Sequence, residues 1–293
     1  AVCLNDAVVP PKKNSIAAKQ RLQELGHDLD LVVVEHPDLL HGHHFPMPEV
    51  FESSRFVMQH ASVMPADDEY YTLRAGLSNS IAAFESRKTG RVAFLGGSIT
   101  YNPGWRDELM RYFRKRFPET EFDFIAAGIP SVGSNGHAFR LARDVLMRGS
   151  VDLVFVEAAV NDGTNIPDQG DLMLRSMEGV VRQLRKTNPS TDIVHMHFAS
   201  APALKAYAEG KVPLPIAQHE KVAKHYGCTS LNITHEVADR IAAGQFTWES
   251  GFNSNVHPPP FGQRLYANSM TRMLDAACQA ALEPKLHDLP AEP

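Results

Sequence analysis

Residues 151–160 read VDLVFVEAAV, an almost unbroken apolar run with valine at four of its ten positions. A strand buried on both faces of a parallel sheet has this composition, and this is the strongest strand signal in the chain. Working outward, RVAFLG (91–96), FDFIAA (122–127), DIVHMHFA (192–199) and a short segment at 229–233 carry the same signal more weakly. Between them lie helical patterns. In residues 104–117, Trp105, Leu109, Tyr112, Phe113 and Phe117 fall at helical spacing with charges opposite. Residues 135–148, 171–186 and 215–226 read as further helices, and a last amphipathic one runs from about Phe261 to Leu282. This β/α alternation predicts an α/β fold, a parallel sheet covered by helices on both faces. Ligand sites in such sheets lie at the carboxyl ends of the strands.

The pattern changes near residue 90. Before it, 14–26 reads as a short amphipathic helix, 29–35 as a strand, and 36–65 as an aperiodic arm rich in His, Pro and Met. The expected division is an N-terminal extension or cap (1–90), a main domain (91–283) and a C-terminal tail (284–293). The net charge of −5 gives no global electrostatic basis for binding nucleic acid or an anionic membrane. No run is apolar and long enough to span a bilayer. The three cysteines, Cys3, Cys228 and Cys278, form no CxxC and allow one disulfide at most. Residues 1–6 lack the basic and apolar regions of a secretory signal, and the compartment stays open.

Four short segments carry chemistry. The 91–96 strand runs into Gly96-Gly97-Ser98-Ile99-Thr100, which puts a serine on a tight turn beside a helix amino end. Such a serine suits nucleophilic attack that develops an oxyanion, although a helix cap or a phosphate turn would look the same. Neither GK[ST] nor GxGxxG is present. The 122–127 strand is followed by Gly128-Ile129-Pro130-Ser131-Val132-Gly133-Ser134, a glycine-bearing loop at the same edge. The 151–160 strand is followed by Asn161-Asp162-Gly163, whose Asn161 amide could donate to a developing negative charge. Asn255-Val256-His257-Pro258 places a histidine in a proline-rich loop before the last helix, where it could act as a general base.

In this fixed order the four segments resemble the blocks of the SGNH (GDSL-type) hydrolase superfamily, over residues 90–282. The resemblance implies a flavodoxin-like three-layer α/β/α fold and an ester hydrolase with Ser98 as nucleophile and His257 as base. It implies an oxyanion hole from the N–H groups of Ser98 and Gly133 and the Asn161 amide, with Ser131 the alternative to Gly133. It implies no metal or organic cofactor. The flavour of GGSIT, AVNDG and VHPPPFGQ is that of bacterial carbohydrate O-acyl or acetyl esterases, so the expected partner is a small-molecule or carbohydrate ester.

The chain departs from that pattern at the acid. The family's Asp, three residues before the histidine, is here Ser254, and Asn255 follows it. Loss of the acid from a triad costs about four orders of magnitude in rate. Glu249 and Glu157 are the replacement carboxylates suggested by position, Glu157 because it shares strand parity with Ala159 and Asn161. The departure also admits a weak or inactive carbohydrate-binding relative. A glycosidase using Glu157 and Glu249 as its carboxylate pair is a third reading. Gly97 replaces the Asp of GDS, Ala159 the Gly of GxND, and Ala126 a common Asn.

Other features read as structural. His41, His43 and His44 (HGHH) lack a further ligand for a defined metal site. His195 and His197 share a strand face and read as buried, hydrogen-bonded histidines. Arg111, Arg114, Lys115 and Arg116 read as a solvated helix face. Trp105 reads as core, whereas Trp248 and Phe252 lie in the His257 loop and could face substrate.

Overall fold

Thr89–Gly96 (TGRVAFLG) forms the strand around which the sheet is assembled. The structure is a computed structural model and describes residues 70–280 and 283–289. In chain order its first elements are β1 (Tyr71–Thr72), α1 (Ser78–Ala82) with a π-helical turn at Ala83–Arg87, β2 (Thr89–Gly96), and α2 (Ser98–Tyr101). Next come α3 (Trp105–Arg116), β3 (Glu121–Gly128), α4 (Ser134–Asp144), β4 (Leu153–Glu157), α5 (Ala159–Asn165) and α6 (Gly170–Thr187). The last are β5 (Asp192–Met196), α7 (Ala201–Ala208), α8 (Leu214–His225), β6 (Thr229–Leu231), α9 (Ile233–Ala242), α10 (Trp248–Phe252) and α11 (Pro260–Gln279). The N-terminal helix, strand and arm read from the sequence, with HGHH and Cys3, lie outside the described residues.

The sheet order is β1-β6-β5-β4-β2-β3, with β1 antiparallel and the other neighbours parallel. Leaving out the edge strand β1, this is the flavodoxin-like winding order. Its switch point, where chain direction across the sheet reverses, lies between β2 and β4. Side chains alternate across the sheet. Val92, Phe94, Leu153, Phe155, Val194 and Met196 face the layer formed by α3 and α11. Ala93, Leu95, Val154, Val156 and Ile193 face the layer formed by α4, α6 and α8. Removing each such side chain from water stabilises the fold by about 1.5–3 kcal/mol for the larger ones.

The α3 helix shows the local logic. Trp105, Leu109 and Phe113 are its buried stripe. Asp107 accepts the Gly104 N–H at 2.7 Å, and Arg114, Lys115 and Arg116 complement the dipole at the other end.

Three differences from the sequence reading have physical causes. First, the strand predicted over 151–160 stops at Glu157, and Ala159 opens α5. The Glu157 carboxylate turns back to accept the Val160 N–H at 3.0 Å, capping a helix that begins on alanines. Strand parity therefore does not run on from Glu157 to Asn161. Second, the core reaches back past residue 90: β1 pairs with β6, and Leu77 and Phe84 are buried in the same cluster as Phe94. Third, the described part of the tail is tied down, with His287 Nε2 lying 2.7 Å from Asp192 Oδ1. Cys228 and Cys278 are free thiols.

Candidate functional site

The carboxyl ends of β2 and β4 meet at the switch point, and the predicted site residues gather there. Ser98 is the first residue of the single-turn helix α2, so the leading N–H groups of that turn have no partner within it. The Ser98 Oγ lies 2.8 Å from His257 Nε2. His257 comes from the exposed loop between α10 and α11, so a contact spanning 159 sequence positions brings the two together.

Asn161 is in the first turn of α5. Its amide donates to the Val132 carbonyl at 3.2 Å, which fixes its orientation and leaves a second N–H. A Cβ on residue 97 would stand 2.0 Å from Asn161 Nδ2. Gly97 leaves room for this amide, and a side chain there would require the Asn161 amide to shift.

In the loop after β3 the structure separates the two glycine-block alternatives. Gly133 is buried, and a Cβ on it would lie 2.2 Å from Asp162 Oδ1. Ser131 is exposed and lines the pocket with Ser98, Asn161 and His257. Pro130 precedes it, its own φ is +62°, and Val132 N–H reaches back to Ile129 C=O at 3.4 Å. This is the pattern of a type II turn, whose third position favours glycine.

A buried pair behind this wall carries no signal in a single sequence. Asp162 Oδ1 accepts the Ser134 N–H at 2.8 Å, and its Oδ2 lies 2.9 Å from His219 Nε2 on α8. Both side chains are 1% exposed, so the pair ties the Ser131–Ser134 loop, α5 and α8 together without solvent. The asparagine-aspartate step of AVND marks Asp162, but nothing local points to His219.

The histidine side is built differently. Asn253 and Ser254 both have left-handed backbone, at φ +52° and +53°. The Asn255 Oδ1 accepts the His257 backbone N–H at 2.9 Å and does not touch the ring. Among the described residues no carboxylate lies within ion-pair distance of His257. Neither replacement acid suggested by the sequence is in place. Glu157 is 1% exposed and turned into the α5 amino end; burial pushes its carboxyl up to about 8. Glu249 is exposed and does not line the pocket. For the same reason the two do not form a glycosidase carboxylate pair across the pocket. Trp248 lines the pocket and stacks on Phe252 at 4.6 Å; Phe252 itself is fully buried and is a core residue.

The remaining histidines and tryptophan are structural. Trp105 is fully buried and donates to the Ile99 carbonyl at 3.2 Å. His197 pairs with Glu220 at 3.0 Å, and burial lowers the pKa of both His195 and His197. His195 is buried without a hydrogen-bond partner among the described residues, contrary to the bonded environment expected for it. Among the described residues no three His, Cys, Asp or Glu side chains are grouped to hold a metal ion.

The sequence model of the GDSL-like lipase/acylhydrolase family matches residues 94–265, more than half of the chain and all four segments of the site. The chain belongs to this family. Its fold is also found in solved structures. A two-domain esterase active on acetylated mannans, crystallised with mannopentaose, superposes with a TM-score of 0.65 at 22% identity. The match covers 78% of this chain and 61% of that one, so the GDSL-like domain described here spans well under the full length of that esterase. An alpha/beta hydrolase enzyme from the metagenome of Lake Arreo, Spain, gives 0.53 at 16% identity, covering 64% and 96%. A variant of a Geobacillus acetyl-xylooligosaccharide esterase gives 0.50 at 16%, covering 63% and 94%. No curated protein sequence matches the chain.

Proposed function

We propose that this GDSL-like family member is a serine carboxylic-ester hydrolase working through a Ser98–His257 dyad. The observation that carries the reading is the 2.8 Å contact between Ser98 Oγ and His257 Nε2 at the mouth of a pocket also lined by Asn161. His257 accepts the hydroxyl proton as Ser98 Oγ attacks the ester carbonyl. The carbonyl electrons move onto oxygen. The Ser98 N–H and the second N–H of Asn161 hold that oxyanion, with a further backbone N–H from the 131–133 loop. Ser131 is preferred to Gly133 for that last donor because it lines the pocket. Collapse expels the alcohol, which takes the proton from His257, and water repeats the sequence on the acyl-enzyme. With no carboxylate beside the ring, water around the exposed His257 supports the imidazolium in place of an aspartate.

The alcohol is proposed to be a carbohydrate. Two of the solved relatives of this fold act on acetylated mannans or acetylated xylooligosaccharides by their descriptions. Trp248, on the His257 side of the pocket, offers an aromatic face for a sugar ring. The alternative, a binding protein without turnover, is favoured by one observation, the uncountered His257.

The test is p-nitrophenyl acetate hydrolysis by the protein and by Ser98→Ala. Turnover should fall by about 10⁴-fold or more in the variant, with the melting temperature retained. Equal turnover in both proteins would refute the dyad. Absence of turnover in the unaltered protein would favour the binding protein.

A further inference from the structure

The pocket beside Ser98 has a volume of about 630 Å³. Cavities of roughly 300–1,000 Å³ enclose whole small ligands, so an acetyl group would leave most of this one unfilled. Two features describe what fits the rest. Among the described residues no Asp, Glu, Lys or Arg lines it. The segments around α7 and α8 contribute Ala203, Ala206, Leu214 and Ile216 to its lining, with prolines at 202, 213 and 215 and the hydroxyl of Ser200 beside them. Proline has no N–H, so this wall is poor in the donors that sugar hydroxyls need. Pro202 and Pro215 also sit in the first turns of α7 and α8, and Pro213 precedes α8, which stiffens the wall.

The placement of the wall assigns it to one side of the ester. The α8 helix packs on α5, which carries Asn161, so Leu214–Ile216 lie on the oxyanion side. The leaving alcohol must exit within reach of His257 Nε2, on the Ser254–His257 side. Resting on the esterase reading above, we infer that the apolar wall between α7 and α8 is an acyl-chain site. The chain it takes is neutral and several methylenes longer than acetyl.

The experiment is kcat/KM on p-nitrophenyl acetate, butyrate, hexanoate and octanoate, beside n-alkyl acetates of matching length. The inference predicts a rise of about fourfold per added acyl methylene until the wall is filled, the effect of burying each CH₂. It predicts a much flatter response to the alkyl alcohol. Leu214→Glu, at a position 39% exposed and in the first turn of α8, should lower the octanoate-to-acetate ratio by at least about tenfold. Turnover that is highest on acetate, or that climbs with the alcohol rather than the acyl chain, would overturn the inference and leave the esterase reading intact. No turnover on any ester would instead remove the esterase reading and this inference with it.

Discussion

The two halves of the site are built by opposite means. Ser98, the 131–134 loop and Asn161 follow β2, β3 and β4, and the solvent-free Asp162–His219 pair braces the last two. His257 rides on an exposed loop held by a side-chain-to-backbone turn from Asn255 and by two residues in left-handed backbone. The difference locates where the chain can tolerate change. The half proposed to hold the oxyanion is coupled to the stability of the fold through that pair, so altering it is expected to cost folding free energy as well as rate. On the histidine side only the 253–257 stretch is largely exposed, between the buried Phe252 and Pro258, so the position of the family's aspartate can change while its anchors stay in the core.

Predictions that break or sharpen this contrast run from large effects to small. Asp162→Ala should destabilise the fold by about 3–5 kcal/mol, because it leaves His219 and the Ser134 N–H buried without a partner. Thermal unfolding should register this as a fall of roughly 10 °C, at about 2–4 °C per kcal/mol for a domain of this size. Asn255→Ala, removing the comparable support of the histidine loop, should lower the melting temperature by no more than about 4 °C. Equal losses at the two positions would erase the contrast. Asn161→Ala should cut kcat on p-nitrophenyl acetate by about 10²–10³ with little change in KM, as loss of a donor used only in the transition state does.

Glu157 supplies a pH test of the braced half. Burial raises its carboxyl to about 8 from an ordinary 4.5, so the folded protein holds this proton more tightly than the unfolded chain. Its contribution is fully present below about pH 4.5 and is lost as pH rises toward 8. Glu157→Gln keeps an oxygen for the Val160 N–H and has no proton to lose. Melting curves from pH 5 to 9 should therefore fall less steeply in the variant than in the unaltered protein; parallel curves would contradict the assignment.

The smallest effect belongs to the histidine half. Ser254→Asp restores a carboxylate three residues before His257, at a left-handed position that Asp tolerates. It should raise kcat by about tenfold, a small part of the roughly 10⁴ that the acid is worth in a complete triad. Unchanged kcat would mean that the loop does not present residue 254 to the ring.

Much of this architecture is legible in the sequence because its signals are local. The apolar runs at 91–96 and 151–157 and the helical spacing of Trp105, Leu109 and Phe113 state the layers directly. The candidate serine and amide are marked by glycine and asparagine following strands, and the histidine by the prolines before the last helix. The misread parts have both local and distant causes. The end of β4 is set by a side chain folding back onto Val160, so its apolar letters run on into a helix. The short helices α5, α7 and α10 and the edge strand β1 have no period long enough to read. Ser131 lines the pocket because a turn gives it left-handed backbone, which its own side chain does not announce. His219 reaches Asp162 across 57 positions, and no pattern in either segment forecasts the pair.

The proposal at the centre of this comparison is that His257 activates Ser98 without a neighbouring carboxylate. Fluorophosphonate labelling followed by peptide mapping tests it most directly. The account predicts that the label maps to Ser98 in the unaltered protein, that His257→Ala slows labelling by at least about 10³-fold, and that Ser254→Asp speeds it. A Ser98 that stays unlabelled, or one labelled equally fast without His257, would contradict the account.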